Sequence, residues 1–222
     1  MLSQLDNIIY PDRCEVYEVI PSQRYVYVIF KNGHSSLLAS HLTNKWKILF
    51  NEQLKKLESI DVILRDTKSR TISGINTYVQ KTLAEHPDLD FKTVVWFAKN
   101  YLFLNRHYTI QFSWLLNLAR FIHPDTRLNF LGMEDLSTLT LFDLKPDGVT
   151  DPSQTLIDEL EKNIPNFEMF HRLDDALYTC IGKSLTFSET VERIKSIDAD
   201  AYDWVIGKTL KVLDPLYVLS KT

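Results

Sequence analysis

Cysteine is scarce in this chain. Only Cys14 and Cys180 occur, far apart and without metal-type spacing. That excludes a disulfide framework and a zinc site of the ribbon kind, and it makes a reducing cytoplasm the expected location. No apolar run approaches the uninterrupted length of a membrane span. The opening stretch MLSQLDNIIYPDR also lacks a basic region followed by an apolar one, so neither a span nor a secretory leader is expected. The formal net charge is only −4, and the basic residues form no stripe with interleaved aromatics. Nucleic acid and membrane surfaces are therefore not expected partners, and an anionic small molecule would have to be held by a local site.

Glycine is sparse too, with six in 222 residues. Ile181-Gly182-Lys183-Ser184 and Ile206-Gly207-Lys208-Thr209 end like Walker A loops, but Leu177 and Tyr202 stand where the first glycine is required. Both read as helix-surface glycine and lysine with no nucleotide role. Repeats and low-complexity segments are missing as well. What remains is a chain that is 45% hydrophobic, enough for one globular domain spanning 1–222. The expected organisation is an α/β core over roughly residues 1–140 and a mainly helical extension over roughly 141–222.

The chain is organised around Arg24 to Leu38, RYVYVIFKNGHSSLL. The aliphatic and aromatic run from Tyr25 to Phe30 predicts a strand buried on both faces, as in parallel sheets. Lys31-Asn32-Gly33-His34 then turns the chain, and Ser35-Ser36 can cap a helix that buries Leu37, Leu38 and Leu42. Free N–H groups at a helix start together with a lysine make a cradle for phosphate or sulfate, although the same residues also suit an ordinary serine-capped turn.

Before this strand, residues 15–20 predict a short edge strand with a turn at Pro21-Ser22-Gln23. After it come a helix over about residues 35–44, a strand over 46–50, a connecting helix over 52–59 and a strand over 60–64. Strand, helix, strand, helix, strand at this spacing predicts parallel pairing. Arg65 leaves the carboxyl end of the last of these strands. A helix begins near Arg70, with Ile75, Tyr78, Val79 and Leu83 at helical spacing, which puts Ser73 on its first turns. Arg65 and Ser73 can thus face the crevice where open sheets bind ligands. Farther on, helical patterns over about residues 90–104, 111–121 and 154–163 are expected, with a fourth strand over 128–133. Two C-terminal helices, over residues 171–197 and 201–213, complete the reading.

YVYVIFKNGHSSL resembles the phosphosulfate-binding loop of sulfotransferases that use PAPS (3′-phosphoadenosine-5′-phosphosulfate), a strand followed by Pro-Lys-x-Gly-x-Thr/Ser-Ser-Leu. VILRDTKSRTISG resembles the same family's 3′-phosphate site, Arg-Asp-Pro-x-x-Arg-x-x-Ser. The two motifs occur in the family's order, each at a strand-to-helix junction. Phe30 and Thr67 stand where prolines are usual, and His34 replaces a small hydroxyl or thiol residue. The segment around His107, Tyr108 and Gln111, with Gly132 and Leu136 later, is similar to the carbohydrate sulfotransferase branch, although Asn105 and Ile110 replace the Asp and Pro of that pattern. The resemblance runs from Tyr25 to Leu136.

It implies a P-loop-like parallel sheet flanked by helices and transfer of a sulfuryl group from PAPS to an acceptor hydroxyl, with a saccharide as one candidate acceptor. PAP would be the product and no metal is implied. Lys31 would be the electrostatic catalyst, and Asn32, Gly33, His34, Ser35 and Ser36 would surround the 5′-phosphate. Arg65 and Ser73 would read the 3′-phosphate. The general base stays open between His107 and Glu52, with His41 and Glu58 in the same reach of chain and His41 more suited to a packed structural role. Two other readings share the strand–turn–helix: a P-loop kinase of nucleotides or small molecules, and a binding protein that holds adenosine bisphosphate without turnover.

Overall fold

The computed structural model describes residues 14, 16–19, 22–29, 46–49, 51–90, 92–93, 109–135, 162 and 167–219. Their strands are β1 (Val16–Val19), β2 (Arg24–Val28), β3 (Trp46–Leu49), β4 (Ser59–Ile63), β5 (Arg127–Leu131) and β6 (Ser184–Leu185). Their helices, beyond isolated turns, are α1 (Asn51–Leu54), α2 (Thr67–Glu85), α3 (Gln111–Ala119), α4 (Phe167–Tyr178) and α5 (Phe187–Leu219). The strands form one mixed sheet in the order β3-β1-β2-β4-β5-β6. Helices flank it, and the C-terminal region is helical.

Among the described strands, parallel pairing is confined to β2 with β4 and β4 with β5, with Val26 beside Asp61 and Asp61 beside Asn129. β1 pairs antiparallel with β2 on one side and with β3 on the other, and β6 is antiparallel to β5. The expected parallel sheet is thus corrected to a mixed one, and residues 15–20 are not an edge. The reason is local: the turn over residues 20–23 is too short for a crossover, so β1 and β2 must form a hairpin. Gln23 takes a positive φ of 53° there, and the Ser22 N–H bonds the Val19 carbonyl at 3.2 Å. β3 then adds to the open edge of β1 and so runs in the same direction as β2.

Along β4 the side chains alternate. Ile60 and Val62 join the core cluster of Tyr27, Leu128 and Phe130, which packs on Phe112, Leu115 and Leu118 of α3 and on Leu173 and Leu177 of α4. Ile63 and Val26, on the other face, are equally buried, so the central strands are covered on both sides as their apolar runs predict. The Tyr27 hydroxyl ties β2 to α3 by donating to the Trp114 carbonyl at 3.1 Å, and burial holds its pKa well above the ordinary tyrosine value.

The C-terminal helices depart from a plain reading of 171–197 as one helix. α4 stops, Gly182 adopts φ 78°, and its N–H bonds the Phe130 carbonyl at 2.9 Å to begin β6. Gly182 is therefore a turn glycine in the left-handed region and not a helix-surface one. Gly207 does lie in a helix, α5. A break at residue 198 between two helical stretches agrees with the sequence, since Asp198 inside α5 has φ −150° and ψ 80°. Its carboxylate accepts from the Ala201 N–H at 3.0 Å and from two Arg172 nitrogens at 2.7 Å each, so it caps the second stretch and anchors it to α4.

α2 starts at Thr67, slightly ahead of expectation, because Asp66 caps it: Oδ1 accepts from the Ser69 N–H at 2.8 Å. That hydrogen bond is the first cause holding the Asp66 carboxyl below the usual carboxylate range, with the Arg65 and His171 charges adding to it against desolvation. Asp66→Ala is expected to lose about 1 kcal/mol in urea unfolding at neutral pH. Because the folded-state pKa is depressed, this advantage of the wild type is present above the ordinary carboxylate pKa and fades as the pH falls through the folded value. A gap that stays constant down to pH 2 would remove the capping role.

Candidate functional site

The strand order defines a crevice. After β2 the chain goes to β3, beyond β1, whereas after β4 it goes to β5 on the opposite side. Adjacent parallel strands whose continuations diverge form a topological switch point, and open sheets bind ligands outside the carboxyl ends of such strands. Here those ends are Val28-Ile29 of the β2 stretch and Leu64-Arg65 after β4.

Arg65 is half-buried at this edge, and its backbone is clamped on both sides by one side chain. The Arg65 N–H donates to Gln111 Oε1 at 3.0 Å, and Gln111 Nε2 donates to the Arg65 carbonyl at 2.9 Å. Gln111 is fully buried as the first residue of α3. Asp174 of α4 holds that helix start in turn, its carboxylate accepting the N–H groups of Gln111 at 2.8 Å and Phe112 at 3.1 Å. The four orphan N–H groups of a helix start make a carboxylate stabilising at this place.

Arg70 completes the network from within α2. It is fully buried, and Nη1 donates to the Thr109 carbonyl at 2.5 Å. Its Nε and Nη2 have no hydrogen-bond partner among the described residues, nor has the buried Thr67 hydroxyl. Burial lowers the Arg70 pKa to about 10, with the Asp174 charge opposing the shift and Arg65 adding to it. Burial likewise raises Asp174 to about 6 against the pull of Arg70 and the α3 N–H groups. At neutral pH the pair is ionised.

Ser73 lies two turns into α2, half-buried, and its hydroxyl has no hydrogen-bond partner among the described residues. Arg65 and Ser73 thus fall at one strand-to-helix junction, as the sequence implies. Glu52 sits in the short helix α1, exposed, 3.4 Å from Lys55. Since β3 runs in the direction of β2, Glu52 is on the carboxyl side of the sheet but separated from β2 by β1. Glu58 is exposed just before β4, at the opposite edge. Lys31, Asn32, Gly33, His34, Ser35, Ser36, His41 and His107 lie outside the described residues.

Several side chains at this edge escaped the sequence reading. Asp174 and Arg70 are two. Tyr178 is another, its pKa raised first by burial and then by the Glu134 and Asp66 carboxylates, which places those three groups near one another. A usable signal existed for Asp174, which stands between Leu173 and Leu177 on the apolar side of an amphipathic helix. Arg70 gave none, since it lies five residues before Ile75 and so off the stripe that the spacing of Ile75, Val79 and Leu83 defines. Among the described residues, no group of three or more His, Cys, Asp or Glu is placed to hold a metal, and no helix is long and apolar enough to cross a membrane.

A scan of protein-family models and searches of curated proteins and of solved structures gave no match to this chain.

Proposed function

We propose that the chain is a PAPS-dependent sulfotransferase acting on an acceptor hydroxyl, with a saccharide as the candidate acceptor. One observation supports the reading: the two neighbouring parallel strands that flank the switch point are the ones that precede, in sequence, the Lys31 segment and the Arg65–Ser73 motif. Two weak motifs read from sequence would converge there on one crevice. The co-substrate would supply an activated sulfuryl group, and the protein would hold donor and acceptor in line. In this scheme Lys31 faces the charge that develops on the leaving oxygen. Asn32 to Ser36 hold the 5′-phosphate, and Arg65 and Ser73 hold the 3′-phosphate. His107 or Glu52 takes the acceptor proton. The Gln111 clamp gives Arg65 a fixed backbone from which to reach a phosphate, the kind of support a binding residue needs.

Calorimetry with adenosine 3′,5′-bisphosphate in the presence of a chelator tests this. Saturable binding without Mg²⁺ is expected, whereas binding of ATP only with Mg²⁺ would turn the assignment to a kinase. Arg65→Ala and Ser73→Ala should each weaken adenosine 3′,5′-bisphosphate by about tenfold to a hundredfold, since a hydrogen bond to a charged group is worth about 1.5–3 kcal/mol. Adenosine 5′-monophosphate should be nearly unaffected. Equal weakening of both nucleotides would show that the pair does not read the 3′-phosphate.

A further inference from the structure

The opposite edge of the same strands carries a second site. A cleft of about 400 Å³ opens where β2 and β4 begin, lined by residues that include Arg24, Tyr25, Lys56, Ser59, Asp61 and Asn129. Its floor is a polar chain laid across the sheet. Arg24 Nε donates to Asp61 Oδ2 at 2.6 Å, Asn129 Nδ2 donates to Asp61 Oδ1 at 3.0 Å, and the Ser184 hydroxyl donates to Asn129 Oδ1 at 2.7 Å. Asp61 keeps only 4% of its side chain exposed, on a sheet face where Val26 and Ile63 are fully buried. An ionised carboxylate at such a position is worth less to stability than an apolar residue of similar volume.

What the buried carboxylate does achieve is to fix Arg24. The guanidinium is pinned through Nε while 39% of the side chain stays exposed. Its two terminal nitrogens make no hydrogen bond among the described residues, and the Lys56 ammonium makes no ion pair among them. Both oxygens of Asp61 are engaged within the chain. Glu58, the other carboxylate on the lining, is exposed, so solvent screens its charge. Beside the exposed Glu58 carboxylate, the free groups on the cleft are two cations and a hydroxyl, namely a planar N–H fork, an ammonium and Ser59. A fork of this kind matches two oxygens of one oxyanion.

We propose that this cleft binds the oxyanion of a small molecule, a phosphate monoester or a carboxylate, gripped by the terminal nitrogens of Arg24 and by Lys56. The volume is that of a small-ligand pocket. The site is independent of the proposed transferase crevice, which lies at the other end of the strands.

The test is a nuclear magnetic resonance titration of the full chain with glycerol 3-phosphate in one arm and succinate in the other. Saturable shifts are expected at the amides of Gln23, Arg24, Tyr25, Lys56 and Ser59, and the arm that produces them identifies the oxyanion. Arg24→Lys keeps a cation beside Asp61 but loses the fork, and Lys56→Gln removes a surface charge, so both variants should fold. Each should weaken binding tenfold or more, while Arg65→Ala leaves it unchanged. Absence of these shifts in both arms would overturn the proposal. So would binding that survives Arg24→Lys and Lys56→Gln, or binding that is lost with Arg65→Ala.

Discussion

Asp174→Ala is expected to cost about 2–4 kcal/mol of folding free energy, because it leaves two buried backbone N–H groups without their acceptors, at about 1–3 kcal/mol each. Asp174 is 1% exposed and Arg70 is fully buried, so no water replaces the lost carboxylate. The substitution frees the N–H groups of Gln111 and Phe112 and removes the negative charge that opposes the desolvation of Arg70. The pH dependence has a definite sign. With a folded-state pKa of about 6, above that of the unfolded chain, the folded protein retains a proton that the unfolded chain releases between about pH 4 and 6. The contribution of Asp174 to stability therefore rises as the pH falls through this window. Urea unfolding of wild type and Asp174→Asn at pH 7 and pH 5 should show the wild type gaining on the variant at the lower pH. A loss under about 1 kcal/mol in Asp174→Ala would show that the carboxylate does not hold the start of α3 in place.

The elements that were legible in the sequence are those whose signal is local. β2 announces itself by a continuous apolar run, β4 and β5 by apolar stretches interrupted at Asp61 and Asn129, α3 by its apolar restart at Gln111, and the kink at Asp198 by the polar step between two amphipathic stretches. Strand partners are not local. Residues 15–20 and 46–50 read correctly as strands, but which edge each joins depended on a hairpin and on the open side of β1. β6 is only two residues long and is held by the Gly182 turn and the edge of β5, so periodicity over 171–197 could not reveal it. At the crevice, the place of Arg65 after a strand and of Ser73 in the helix that follows was readable from the apolar run and the helical spacing on either side. The Asp174–Arg70 pair was not, since a charge on an amphipathic helix ordinarily belongs to the solvated face. Only the flanking Leu173 and Leu177 mark Asp174 as buried, and Arg70, five residues before Ile75, carries no such mark. The same network also gives Gln111 a physical role that a sequence resemblance alone does not: its side chain joins the start of α3 to the end of β4.

Lys31→Ala is expected to lower the turnover of sulfuryl transfer by about a hundredfold to a thousandfold, the usual effect of removing one group that stabilises charge in the transition state. In sequence Lys31 follows β2, whose carboxyl end borders the crevice with β4. In the proposed reaction negative charge grows on the oxygen that leaves the sulfur, so an ammonium there acts more strongly in the transition state than in the ground state. The loss should therefore fall on kcat, with the KM for the acceptor little changed. Lys31→Arg should recover part of the rate, because the charge returns but a planar guanidinium is not a point charge. Thermal unfolding should be close to wild type in both variants if the proposed role is the one that Lys31 plays. Full turnover in a folded Lys31→Ala protein would remove the residue from the chemistry. Binding of adenosine 3′,5′-bisphosphate by a wild type that transfers no sulfuryl group to any hydroxyl acceptor would instead select the binding protein without turnover, and in that case Lys31→Ala should weaken the nucleotide itself.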